Sequence, residues 1–143
     1  MEIETPTIAD LTGVQHTHAT TAAGGKLAFW REFDTGDGVY TASAVMYQAP
    51  CVLNHSFPAN LTGSEFYCTV APADGNVVIT LKQAGSSVAT VTFTTGQAIT
   101  TPGSMSSAGW SATAGGGKFQ IVYQTPADSA FAGLHGAMIG TRY

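Results

Sequence analysis

The sequence predicts an all-β fold, an antiparallel β-sandwich of jelly-roll type that follows an extended N-terminal arm. Two observations lead to this prediction. Short segments rich in β-branched and aromatic residues alternate with turn signals along the chain, a pattern typical of sandwiches and barrels. No segment carries apolar residues at the 3.6-residue period of an amphipathic helix.

The arm is predicted over residues 1–26, which contain few large apolar side chains and many Thr, Ala and Gly residues. The sandwich domain is predicted over residues 27–143. It opens with the apolar stretch KLAFWREF at 26–33, followed by turn chemistry in DTGDG at 34–38 and a β-rich run, VYTASAVMY, at 39–47.

The clearest hairpin is predicted over residues 77–93, where apolar residues alternate on both sides of the turn QAGSS at 83–87. The alternating positions are Val77, Ile79 and Leu81 before the turn and Ala89, Val91 and Phe93 after it. The same alternation recurs at Phe119, Ile121 and Tyr123, and a last apolar stretch runs through Leu134, Met138 and Ile139. TTPGSMSSAG at 100–109 and TAGGGK at 113–118 are predicted to be loops.

Composition limits the classes of function. The 143 residues suit one domain, and only 10% of them are charged, against about 25% in typical soluble proteins. Such a surface relies on uncharged polar side chains or on burial in an assembly, which favours a particle subunit over a free enzyme. The net charge of −4 and the five scattered Lys and Arg residues offer no basic stripe for nucleic acid. No apolar run approaches a membrane span, and the acidic start does not resemble a secretory signal, so we expect synthesis in the cytoplasm.

Cys51 and Cys68 are the two cysteines of the chain, and their spacing excludes a CxxC metal or redox site. If their segments form an antiparallel hairpin centred near Ala59 and Asn60, the two residues lie opposite each other and a disulfide is possible. The alternative is two reduced, partly buried thiols.

Local signatures of catalysis are missing from the sequence, and we predict that the chain is not an enzyme. No G-x-S-x-G elbow surrounds a serine, and no close pair of carboxylates lies on one predicted strand face. Asp34 and Asp37 lie in a glycine-rich turn, where their side chains are expected to accept bonds from the backbone, with weak calcium binding as the alternative. His55 and His135 are isolated and are interpreted as structural or surface residues.

His16 and His18 are spaced so that both imidazoles leave the same side of an extended chain. One chain then offers two ligands, which is too few for a firm site. Three chains around a threefold axis would offer an octahedral set of nitrogens suited to a first-row transition metal. The metal site therefore depends on a homotrimer, and the alternative is an ordinary polar linker.

Two stretches resemble proteins of phage and prophage virions. HTHATTAAGGKL at 16–27 is similar to the His-x-His and Gly-Gly segments of tail fibres and spikes, where such histidines line a trimer axis and hold a metal ion. From about Val45 to Arg142 the chain resembles a β-rich domain at the C-termini of virion surface proteins. The matching pieces lie at 57–64, 69–96 and 116–142, and the chain departs from the pattern at KQAGSS, at QTPADS and at its two cysteines.

The resemblance implies a non-enzymatic bacteriophage structural protein, made in the cytoplasm of the bacterial host and displayed on the virion as a homotrimer. A short arm and a single domain favour a capsid decoration or head-fibre protein whose arm docks onto the shell formed by the major capsid protein. The alternative is a tail-fibre or receptor-binding tip that recognises host glycans with aromatic residues such as Trp110 and Tyr67.

The metal hypothesis has a direct test. If His16 and His18 bind a metal on a trimer axis, protein purified without chelators has the mass of a trimer in light scattering and contains about one metal ion per three chains in elemental analysis. A monomeric mass, or a trimer without metal, would contradict the hypothesis.

Overall fold

A computed structural model describes residues 27–124 and 126–143, with the backbone alone at 27–30. The predicted arm, including His16 and His18, lies outside the described residues, so the metal site and the trimer stay predictions. The described residues form ten strands and a 3-10 turn at Ala59–Leu61. The strands are β1 (Leu27–Asp34), β2 (Val45–Pro50), β3 (His55–Phe57), β4 (Glu65–Tyr67), β5 (Val77–Gln83), β6 (Ser86–Phe93), β7 (Ser104–Ser107), β8 (Trp110–Ala112), β9 (Lys118–Val122) and β10 (His135–Arg142).

Two antiparallel sheets confirm the predicted all-β sandwich. The first sheet has the order β1-β10-β3-β8, with β4 also paired to β10, and the second has the order β2-β9-β5-β6-β7. The pairs β1–β10, β2–β9 and β3–β8 are nested around the β5–β6 hairpin and alternate between the sheets. This nested pairing is the topology of a jelly roll, in which a long hairpin is rolled into two layers.

The predicted hairpin is β5–β6. Its turn consists of Ala84 and Gly85, which both have positive φ (51° and 84°), as the two central residues of a type I′ turn require. All the alternating positions predicted on these strands are buried, and they face the first sheet together with Phe119, Ile121 and Tyr123 of the β9 segment. The side-chain period of two therefore identified the core face correctly.

Two predictions of local structure need correction. The loop expected at 100–109 contains β7, which pairs with β6 at the edge of the second sheet. Its residues are Ser, Met, Ser and Ser, so that only Met105 could have revealed an apolar face. The β-rich run expected at 39–47 becomes a strand only from Val45, because a turn in which Ala44 N–H donates to Thr41 O precedes it.

Asp128 ties two loops together at one end of the sandwich. Its side chain is only 3% exposed and accepts hydrogen bonds from four backbone N–H groups at 2.8–3.2 Å, those of Ala73, Asp74, Ala130 and Phe131. Burial by itself raises the pKa of this carboxyl, but the backbone donors outweigh it and lower the pKa to about 2.

Replacing Asp128 with Ala is expected to lower the free energy of unfolding at pH 7 by about 3 kcal/mol, because buried N–H groups lose their acceptor. The folded-state pKa lies below the ordinary value of 3.8, so the contribution of the carboxylate is present above about pH 4 and is lost as the pH falls towards 2. Urea unfolding of Asp128→Asn between pH 7 and pH 2 should lack that acid-dependent loss. The matched control is Asp37→Asn in an exposed turn, and an equal effect of both variants would contradict the assignment.

Candidate functional site

A groove of about 550 Å³ lies on the outer face of the first sheet, at one end of the β1–β10 pair. Residues of three strands line it in two cross-strand rows. One row is Glu32, Ala137 and Glu65, and the other is Asp34, His135 and Tyr67. We call this site the acidic groove.

The period of two along the strands places these side chains on the outer face. Phe33 and Phe66, which alternate with them in sequence, are buried on the inner face with their ring centroids 5.1 Å apart. Gly136 lies between the two phenylalanines in the register, and a Cβ there would come within 2.2 Å of Glu65 O. The glycine thus allows β4 to approach β10 closely, which brings Glu65 and Tyr67 to the groove.

The aromatic part of the groove is a stacked pair. The rings of Tyr67 and His135 have centroids 6.0 Å apart and an interplanar angle of 25°. Tyr67 OH donates to Glu65 Oε2 at 3.0 Å, and His135 Nδ1 donates to Gly133 O at 2.8 Å, so both rings are held by hydrogen bonds. The hydrogen bond that the phenol donates to Glu65 raises the pKa of Tyr67.

Of the residues that line the groove, only three received an interpretation from the sequence. Tyr67 was a candidate for sugar stacking, His135 was interpreted as isolated, and Asp34 was expected to bond to turn backbone. The last expectation is confirmed, because Asp34 Oδ1 accepts a hydrogen bond from Gly36 N at 2.8 Å. The expectation that no close pair of carboxylates lies on one strand face is wrong, because β1 extends to Asp34 and places Glu32 and Asp34 on the same outer face. Glu65 carried no signal beyond its two-residue spacing from Tyr67.

Trp110, the other residue considered for sugar stacking, packs against the core of the sandwich. Its ring centroid is 4.6 Å from that of Phe57 and 6.5 Å from that of Phe119, to which it is almost parallel. The side chain is only half-buried, but its contacts are those of a core residue.

The disulfide considered between Cys51 and Cys68 is not formed, and both cysteines are free and buried. The hairpin that would have brought them together is wrong, since β3 and β4 both pair with β10, one after the other along its length. His55 lies opposite Arg142 at one end of β10 and Tyr67 opposite His135 at the other. The cysteines next to these strands are therefore separated by the length of β10.

Cys51 lies near His55, but their contact does not form a nucleophilic pair. The sulfur is 3.9 Å from His55 Nδ1 and donates to Thr113 O at 3.0 Å. His55 Nδ1 lies 2.8 Å from Leu53 O, which can only accept, so this nitrogen carries a proton and cannot take one from the thiol. Burial, assisted by nearby Arg31, lowers the pKa of His55 and favours the neutral ring. We interpret the pair as part of the packing.

The free thiols can be counted with a chromogenic thiol reagent. Denatured protein without reductant should release two equivalents per chain, and native protein should react far more slowly, because both sulfurs are buried. If the denatured chain released no chromophore from the reagent, the two cysteines would be joined in a disulfide and the assignment of free thiols would be wrong.

Within residues 27–124 and 126–143, no three His, Cys, Asp or Glu side chains are grouped closely enough to hold a metal ion. The same residues include no helix that is long and apolar enough to cross a membrane. No family model, curated protein or solved structure matches the chain.

Proposed function

We propose that the protein is a non-enzymatic structural component of a bacteriophage virion, a capsid decoration or head-fibre protein that acts as a homotrimer. The observation that carries the proposal is the nested strand pairing of a jelly roll, an architecture used by viral capsid and lectin domains. Architecture alone is an analogy, and the support from sequence is the resemblance of residues 45–142 to virion surface domains.

The geometry of β1 adds to this support. Leu27, the first residue of β1, pairs with Arg142. Tyr143, which follows Arg142 in the chain, donates its N–H to Asn54 O at 3.2 Å. Val52, Leu53 and Tyr143 are exposed apolar residues at this end of the first sheet. Leu27, the first described residue, therefore lies at the end of the sheet that carries these exposed apolar side chains, which would be available to contact a shell. The acidic groove lies at the other end of the same strand pair.

Such a protein would act by binding. Apolar and backbone contacts would bridge neighbouring coat subunits, and the shell would be stabilised because the protein binds only the assembled form. The virion is accordingly the proposed location, with the major capsid protein as the partner.

The test is sedimentation with purified coat shells of the same phage. The protein should co-sediment with assembled shells, not with unassembled coat subunits, and should raise the temperature at which the shells disassemble. Leu53→Asp combined with Val52→Asp should abolish co-sedimentation, whereas Ile99→Asp, at a comparably exposed residue in the loop between β6 and β7, should not. Equal losses in both variants, or no binding to shells by the unaltered protein, would contradict the proposal.

A second candidate function, glycan recognition by a receptor-binding tip, is favoured by the position of Tyr67. This ring lies in the acidic groove beside His135 and close to carboxylates that can accept bonds from sugar hydroxyls. Aromatic surface next to polar acceptors is a common composition for a small-molecule site.

A further inference from the structure

The charges of the domain are unevenly placed. The described residues include six carboxylate side chains, and three of them, Glu32, Asp34 and Glu65, line the acidic groove. None of the four described Lys and Arg residues lines it. Arg31, the nearest in sequence, faces the interior, where its guanidinium carbon lies 5.1 Å from the centroid of the Phe119 ring.

In the pairing of β1, β10 and β4, a small residue lies between two of these carboxylates. Glu32 and Glu65 lie on either side of Ala137, on the two strands that flank β10. Adjacent strands are about 4.8 Å apart, so the backbones of the two glutamates are about 9.6 Å apart, with only a methyl group between their side chains. A positively charged group lying above Ala137 would be within reach of both carboxylates.

The second row adds an aromatic surface to this pair of charges. Tyr67 and His135 stack on each other, and each is anchored by a hydrogen bond, so little side-chain freedom is left to lose when a ligand binds. Aromatic rings attract both the C–H face of a sugar ring and a nearby cation.

We propose that the acidic groove binds an amino sugar with a free ammonium group, the ammonium lying between Glu32 and Glu65 and the sugar ring against Tyr67 and His135. The proposal rests on the second candidate function, glycan recognition, and names the class of glycan. Charge complementarity is the reason for the choice, since an anionic sugar would be repelled by three carboxylates.

Two other occupants are disfavoured by their charge. Residues 1–26 contain Glu2, Glu4 and Asp10 against Lys26 alone, so the arm of the same chain is itself acidic. A second copy of the chain has a net charge of −4. Like charges facing each other in a docked segment cost free energy, whereas an ammonium group gains it.

The test is isothermal titration with a glucosamine tetramer and, as the matched ligand, the N-acetylglucosamine tetramer, which has the same rings without the charge. The free amine should bind at least about tenfold more tightly, the difference expected for a charge-assisted hydrogen bond. Glu65→Gln and Glu32→Gln should each reduce this preference severalfold, and Glu65→Gln keeps an acceptor for Tyr67 OH. Ala137→Leu should prevent binding of both ligands, because it fills the space between the glutamates.

Asp37→Asn is the control for net charge, since it removes an exposed carboxylate outside the lining of the groove, and it should leave both affinities within about twofold. Thermal unfolding of each variant separates lost binding from lost folding.

If both tetramers bind equally and Tyr67→Ala abolishes binding, glycan recognition stands and the preference for an amino sugar is wrong. If neither tetramer binds, both ideas fail. If spermidine binds as tightly as the glucosamine tetramer, the groove is a general cation site and the proposal of a sugar ligand is overturned.

Discussion

The pairing of β1 with β10 is the constraint on which the rest of the structure depends. All eight residues of β1 are in register with β10, from Leu27 opposite Arg142 to Asp34 opposite His135. This register decides which residues face the core and which face solvent, because a slip of one position would exchange the two faces. It also places Leu27 and the acidic groove at opposite ends of one strand pair.

Local patterns in the sequence were sufficient for the parts of the fold that local interactions determine. The β5–β6 hairpin combines alternating apolar residues with a turn rich in small residues, and both signals lie within 17 residues, 77–93. The strand β7 was missed because it forms by pairing with β6, and its own residues show no alternation of apolar and polar side chains. Gly103, just before it, packs so closely on the core that a Cβ would lie 2.6 Å from Val91 Cγ1. The composition of this serine-rich segment does not predict the close contact between Gly103 and Val91.

The acidic groove could not have been predicted in the same way, because its three strands come from distant parts of the chain. Glu32 and Ala137 are far apart in the sequence and become direct neighbours only because β1 pairs with β10. The two aromatic candidates make the same point: Trp110 and Tyr67 both follow turn-like segments, yet Trp110 packs between phenylalanines and Tyr67 faces the groove. Which sheet face each side chain occupies depends on the register, which the sequence of one strand does not contain.

The position of β10 at the centre of the first sheet also governs the order in which the domain can fold. During synthesis the β5–β6 hairpin can form as soon as its residues emerge, whereas β1, β3 and β4 have no common partner until β10 follows them. The first layer therefore closes last and by contacts of long sequence separation, which is the slow class of folding step. Until that moment β1 presents a strand without a neighbour in this layer, and a ribosome-bound chain is most exposed to pairing with other chains at that point.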